Sequence, residues 1–297
     1  MKWIKKYKFK IVSVVLICFL SVFFIFNNKN NISILSKENE QTKIYTVYHV
    51  ETFEGGSKSR INYLKNIARA IEKQNPNILF MIKQIAPEKL KTELSETNFD
   101  IISFGYGVGE VVLPFLVNLD KTYNLRDEVL NSGMFNNKLY ALPYILSGYC
   151  KIIQDEENQN FYCGTNNYIN SQNICPNPIK KQSQYEAYKD FVYNKNSNLV
   201  GTARDLFRVD NLNKTGRTNA TFSFIETYTD LVQYLGVTKT DEITLKFLQM
   251  SVDSKFQNQL SDYGLFSVTD NNLYFDGIYN SMENAIKNCI IGNVFND

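Results

Sequence analysis

A single histidine, His49, in 297 residues excludes most chemistry built on imidazole. Metal sites assembled from clustered histidines cannot be made. A Ser–His or Cys–His nucleophile would have to use this one ring, which sits inside a run that reads as a strand. Tryptophan is as scarce: the only one, Trp3, comes before a long apolar segment. The five cysteines include no C-x-x-C pair, so zinc-ribbon and thioredoxin-type chemistry lack their motif. Gly105, Gly107 and Gly109 alternate with other residues, which is not the G-x-G-x-x-G spacing of a dinucleotide loop. No repeat with a period of 20 to 50 residues is present. No cofactor and no metal are expected. Paired carboxylates are harder to dismiss. Glu54 and Asp205 could act as acid and nucleophile of a glycosidase across a cleft. The favoured alternative is that Asp205 pairs with Arg204 or Arg208 while Glu54 binds a ligand or backbone.

The first ten residues carry Lys2, Lys5, Lys6, Lys8 and Lys10 and no acid, and Ile11 to Phe26 is apolar except for two serines. A basic region ahead of an apolar core is the pattern of a secretory signal or signal anchor. No small-x-small cleavage site follows, so an uncleaved membrane anchor is favoured over a cleaved signal peptide, with residues 27–42 as a polar linker. Without residues 1–26, 27 basic residues face 30 acidic ones, and no basic stripe remains for nucleic acid. In an oxidising compartment Cys163 and Cys175 could close a short loop; free buried thiols at Cys150, Cys163, Cys175 and Cys289 are the other reading.

The remainder is 44% hydrophobic and 14% aromatic by whole-chain composition, enough for one large domain or two modest lobes. Its organising stretch runs from Lys43 to Gly109. Ile44–Val50 reads as a strand leading into Glu54-Gly55-Gly56-Ser57. Ile61, Leu64, Ile67, Ala68 and Ile71 recur at helical spacing up to Asn75-Pro76. Strands are expected at Ile78–Ile82 and Asp100–Phe104, the second followed by Gly105-Tyr106-Gly107. Parallel strands joined by helical crossovers present their C-terminal ends, and any ligand site, at one edge.

Farther along, residues 136–138 read as a turn, Leu139–Tyr149 as extended, and Asp155–Lys181 as an irregular connection. A helix at Tyr185–Val192, a strand at Asn198–Thr202 and a polar loop at Asn211–Thr221 are expected next. Phe222–Val237 reads as hinge strand, and Asp241–Leu260 as a helix capped by Asp241. A strand fragment at Leu265–Val268 and a closing helix at Asn280–Ile291 complete the pattern.

Sugar receptors pair aromatic platforms with amide or charged partners. With Trp3 out of reach, stacking falls to Phe104, Tyr106, Tyr144, Tyr149 and Tyr228. Six segments carry a resemblance: FEGGSKSR (53–60), DIISFGYGVG (100–109), LYALPYILSGY (139–149), VGTARDLFR (200–208), YTDLVQYLGV (228–237) and FQNQLSDYGLFSV (256–268). In that order the chain resembles the family 1 extracellular solute-binding proteins of carbohydrate ABC transporters, the group that includes maltose-binding protein.

The resemblance implies an α/β, two-lobe periplasmic-binding-protein-like fold of type II with a hinge and a shortened second lobe. Lobe 1 would span 43–148 with 226–268, lobe 2 residues 149–225, and residues 269–297 a C-terminal helical segment. The implied ligand residues are Glu54, Gly55, Gly56, Ser57, Phe104, Gly105, Tyr106, Gly107, Tyr144, Tyr149, Arg204, Asp205 and Tyr228. The implied function is capture of a sugar or oligosaccharide outside the cell and delivery to an ABC permease, with no catalysis. Lys58, Arg60, Arg204 and Arg208 leave polyol phosphates open as ligands. The other readings are a degenerate member used in sensing or protein interaction and, least favoured, a glycan-cleaving enzyme.

Overall fold

The computed structural model describes residues 41–52, 58–120, 123–164, 174–175, 178–194 and 196–296. The expected anchor at 1–26, nearly all of the linker, and the loop Glu54-Gly55-Gly56-Ser57 lie outside these residues. The strands are β1 (Lys43–Val50), β2 (Ile78–Ile85), β3 (Ile101–Phe104), β4 (Met134–Phe135), β5 (Lys138–Leu139), β6 (Leu142–Leu146) and β7 (Tyr149–Ile153). After them come β8 (Phe161–Tyr162), β9 (Asn198–Thr202), β10 (Thr221–Phe224), β11 (Tyr228–Thr229), β12 (Val232–Val237) and β13 (Ile290–Ile291). A five-stranded sheet has the order β2-β1-β3-β12-β6, and a four-stranded sheet the order β10-β7-β9-β8.

Period-two patterning sorts β1 between two cores. Tyr45 and Val47 join the cluster under the helix Lys58–Gln74, while Tyr48 and Val50 face the other core. The helix contributes Tyr63, Leu64, Ile67, Ala68 and Ile71, spaced three and four apart, and Ile61 is only half-buried. Full burial of each leucine or isoleucine is worth about 2 kcal/mol of transfer free energy. The chain turns at Asn75, whose side-chain amide donates to the Ile71 carbonyl, and Pro76 cannot continue the helix.

Pairing direction fixes where the loops emerge. β1 and β3 are parallel, with His49 opposite Ser103, and β12 is antiparallel to both β3 and β6. The C-terminal ends of β1, β3 and β6 and the start of β12 therefore share one edge. From that edge only Ser147 and Gly148 separate β6 from β7 of the smaller sheet. The chain comes back from β10 through residues 225–231. Tyr149 lies opposite Thr202 and Cys150 opposite Phe224, so the smaller sheet presents its adjoining edge to the same two crossings.

Four expected elements differ, among them the strand fragment at Leu265–Val268, which is a single bridge from Phe266 to Leu146. The helix expected over Asp241–Leu260 is capped by Asp241 but stops at Ser251; Asp253 then accepts from the Lys255 amide and starts a separate short helix at Ser254–Gln257. The polar loop expected from Asn211 begins only after the helix Ala203–Lys214, whose Leu206 and Val209 are buried. The closing helix is Gly277–Asn288, and Ile290–Ile291 instead forms β13, parallel to β11.

Gln257 ties these parts together. Its amide donates to Tyr63 OH, the Tyr144 carbonyl and the Ser251 carbonyl at 3.2, 2.9 and 2.6 Å, and its oxygen accepts from Ser267 and the Val268 amide. Gln257→Ala strands these buried partners and is expected to cost about 3 kcal/mol in denaturant unfolding. A loss below about 1 kcal/mol would contradict the role assigned to it.

Candidate ligand site at the adjoining sheet edges

At the shared edge of the larger sheet a polar row replaces the apolar one. His49, Ser103 and Gln233 occupy β1, β3 and β12, on the face that carries Val47, Ile101 and Leu235 one step further from the edge. His49 Nδ1 and Ser103 Oγ are 2.9 Å apart, Gln233 Nε2 donates to Ser103 Oγ at 2.9 Å, and the Tyr144 hydroxyl is 2.8 Å from the same oxygen. Ser103 thus bonds three side chains from three strands. Among the described residues, His49 Nε2, Thr52 Oγ1, Ser147 Oγ and Gln233 Oε1 are buried polar atoms with no hydrogen-bond partner. Each lies within two residues of the end of its strand at this edge. Such atoms also occur elsewhere, at Tyr123, Gln154 and Tyr279 for instance, but these four share one edge, and buried polar atoms left unpaired cost free energy.

Burial lowers the His49 pKa to about 3, and the neighbouring Arg60 charge adds to the effect. The ring is neutral in the folded chain. It belongs to a fully buried network of Ser103, Tyr144 and Gln233 with no carboxylate bonded to the ring, so the Ser103–His49 pair lacks the orienting acid of a nucleophilic triad.

The sequence-derived site residues divide into groups. Phe104 and Tyr144 are fully buried: the Phe104 ring lies 6.1 Å from Tyr234 and 6.3 Å from Phe295, and Tyr144 stacks on Tyr63 at 5.8 Å. They support the edge from inside. Gly105 is buried against Thr52, and a Cβ there would run into the Thr52 hydroxyl; Gly107 turns with φ 85°, a conformation suited to glycine. Tyr106 beside them is half-buried.

Tyr149 and Tyr228 belong to the crossings. The Tyr149 hydroxyl donates to Asp230 Oδ1 at 2.6 Å, joining outgoing and returning segments, and Tyr228 is half-buried next to Gly292. On the smaller sheet, Asp205 is 2% exposed and works as a helix cap. Its Oδ2 accepts from Gln184 Nε2 at 2.8 Å and from the Thr202 amide at 3.1 Å, and its Oδ1 accepts from Arg208 at 3.3 Å. Those bonds hold both oxygens within the fold and include the pairing with Arg208 that the sequence favoured. Arg204 is half-buried in the first turn of the same helix.

Residues not picked from sequence also lie here. Thr52, Ser103, Ser147 and Gln233 were legible only as polar interruptions of apolar strands. Tyr185 and Phe207 are 59% and 52% exposed in the N-terminal halves of the helices Gln184–Tyr193 and Ala203–Lys214, which Gln184 and Asp205 join. The Arg208 guanidinium lies 4.9 Å from the Tyr188 ring centre and 6.0 Å from that of Tyr185. A separate cavity of about 510 Å³, lined by Asn131, Asn136, Asn137 and Asn293 among others, contains none of the sequence-derived residues.

No sequence-family model matches the chain, and no curated protein matches it by sequence. Solved structures do match its shape. A cyclo/maltodextrin-binding protein complexed with maltotetraose aligns at TM-score 0.61 and 10% identity, over 88% of this chain and 89% of its own. The GacH receptor of Streptomyces glaucescens, solved unliganded and with acarbose, aligns at TM-score 0.60 and 10% identity over 84% and 88%. An ABC substrate-binding protein from Listeria monocytogenes, in complex with cycloalternan, aligns at TM-score 0.54 and 12% identity over 84% and 88%. These neighbours are binding proteins by description, and what this chain shares with them is the two-lobe periplasmic-binding-protein-like fold.

The polar row makes a pH prediction. An unfolded chain protonates His49 near 6.5 and the folded one near 3. Stability is therefore full above about pH 6.5 and falls as pH drops toward 3, by about 1.4 kcal/mol per pH unit for this one group. His49→Gln should flatten the fall in urea midpoint between pH 6.5 and 5. An unchanged slope in the variant would contradict a buried neutral imidazole.

Proposed function

We propose that this chain is the extracellular substrate-binding subunit of an ABC importer, capturing a carbohydrate between its two lobes and handing it to a membrane permease. The observation that carries this reading is the set of unpartnered polar atoms at the edge where both crossings leave the larger sheet. A polyhydroxylated ligand supplies donors and acceptors of the kind those atoms lack, and clefts at this position of α/β sheets are where ligands bind. The fold neighbours crystallised with acarbose, maltotetraose and cycloalternan set oligosaccharides as the first ligands to test.

In this reading lobe 1 comprises 43–148 with 226–268 and lobe 2 comprises 149–225. Residues 1–26 tether the chain to the outer face of the membrane. Glu54 to Ser57, Gly105 to Gly107, Arg204 and Tyr228 form the rim that meets the ligand, and Phe104, Tyr144, Tyr149 and Asp205 hold the rim in place. Tyr106 and Tyr228 provide ring faces on one side, with Tyr185 and Phe207 as exposed aromatics on the other lobe. The chain binds and delivers and has no catalytic role.

A ligand at about 100 times its dissociation constant adds roughly 2.7 kcal/mol to stability. Thermal unfolding of the full-length protein is expected to shift upward by several degrees with maltotetraose, acarbose or cycloalternan. Tyr106→Ala and Tyr228→Ala should each reduce the affinity about tenfold or more while leaving the unliganded midpoint within about 2 °C. A folded protein that no oligosaccharide or polyol phosphate shifts would sink this reading.

A further inference from the structure

The four cysteines after the apolar segment divide by location. Cys150 and Tyr149 are consecutive in β7, so their side chains leave opposite faces of the smaller sheet. Cys150 lies in the large core shared with Ile152, Leu199 and Leu206. Tyr149 lies in a different cluster with Val200, Leu231, Cys163 and Cys175. Cys289 sits elsewhere, at the end of the C-terminal helix, with its thiol directed to the Ile225 and Ala285 carbonyls at 3.3 and 3.5 Å; burial raises its pKa to about 11. Only Cys163 and Cys175 meet one another.

Their meeting is built by the backbone. Cys163 directly follows β8, whose Phe161 bridges to Pro178 and accepts from the Ile179 amide. The returning chain is thereby laid alongside β8, and the Cys175 sulfur comes to 3.9 Å from the Phe161 carbonyl. The two thiols are 0% and 4% exposed and share a hydrogen bond. We propose that Cys163 and Cys175 form a disulfide that ties the chain at Cys175 to the end of β8 in the smaller sheet. This inference is independent of what the cleft binds.

The chemistry requires a disulfide oxidant, such as an oxidised dithiol protein or glutathione disulfide. The exchange begins at one of the two thiols, for instance Cys175. As thiolate it attacks one sulfur of the donor, the donor S–S bond breaks, and one donor thiol leaves with a proton. Cys163, as thiolate, then displaces the second donor thiol from Cys175. Two electrons and two protons pass from the protein to the donor, and one protein S–S bond replaces one donor S–S bond. Because the finished lobe buries both sulfurs, exchange takes place while the lobe is still folding.

The cross-link shares its cluster with Tyr149 and Leu231, one residue from each crossing. It would therefore brace the smaller sheet where the chain enters and leaves it. A closed loop of this length favours the folded state mainly by restricting the unfolded chain.

The test uses the full chain, refolded from reductant and denaturant into a glutathione redox buffer, then denatured and alkylated without reductant. Three of the five cysteines should alkylate, and all five after reduction. Tryptic cleavage leaves Cys163 and Cys175 on one peptide, residues 152–180, which should be two hydrogens lighter until reduced. Chymotryptic cleavage after Tyr168 should give two fragments still joined. Reductant should lower the thermal midpoint of the oxidised wild type by several degrees and leave that of Cys163→Ser or Cys175→Ser unchanged. Alkylation of all five cysteines without reductant, or linkage of Cys163 or Cys175 to Cys150 or Cys289, would overturn the proposal. If the serine variants fail to fold, the peptide masses of the wild type decide alone.

Discussion

The pairing of the two crossings is the constraint on which the rest of the molecule depends. Ser147 donates its amide to the Leu231 carbonyl at 2.7 Å, and Thr229 Oγ1 donates to the Ser147 carbonyl at 2.8 Å. The Tyr149–Asp230 bond adds a third link. Because the segment after β6 and the segment before β12 run side by side, both sheets must end at the same place. The loop after β3 is carried there by its parallel pairing with β1. β13 then lies on the returning segment, and the Gly292 amide donates to the Thr229 carbonyl at 2.8 Å, so the chain's last residues fasten the junction from outside. Two close crossings with few residues each are the kind of connection that lets packed lobes rotate by small backbone changes, which is what the proposed ligand closure needs.

The chemical character of the edge follows from the same geometry. Moving along the helix-covered face of the larger sheet, Val47, Ile101 and Leu235 give way to His49, Ser103 and Gln233. The apolar row packs under the helix Lys58–Gln74; the polar row is equally buried but bonded through Ser103. Desolvation keeps His49 uncharged, which allows a histidine to sit beside Arg60 without placing two positive charges in the interior. The smaller sheet solves a different problem at its edge. Asp205 caps one helix, receives the Gln184 amide from the neighbouring helix and bonds Arg208, so a single carboxylate sets the relative positions of Tyr185, Tyr188 and Phe207.

Much of the fold was legible because it is written in local periodicity. β1, β9 and the helix Lys58–Gln74 lie within one residue of their expected bounds, since alternation and three-four spacing report the buried face directly. The break after Ser251 carried a readable signal, Asp253 before Ser254, which competed with a continuing apolar stripe through Phe256 and Leu260. The helix Ala203–Lys214 was obscured by Asn211 and Asn213, poor helix formers whose cost is offset by packing of Leu206 and Val209 on the smaller sheet. β13 was invisible because its partner Tyr228–Thr229 lies about sixty residues away. At the site, Tyr149 and Tyr228 were named through the resemblance. The roles of Phe104, Tyr144 and Asp205 were not legible, because an aromatic ring or a carboxylate in a sequence does not reveal whether its partner is a ligand or the protein. The burial that assigns them to support comes only from tertiary packing.

The central claim is that ligand is held between the two lobes and draws them together. Distance measurements between spin labels on the full chain test it most directly, with one label at Lys91 and one at Asn211, both exposed and carried by helices that flank different sheets. Each site would be replaced by cysteine and Cys18 by serine, the other four native cysteines being buried. Saturating maltotetraose, or whichever oligosaccharide raises the unfolding temperature, should move the population to a shorter separation, with the free protein's distance recovered on its removal. Saturated binding with an unchanged distance distribution would contradict the account.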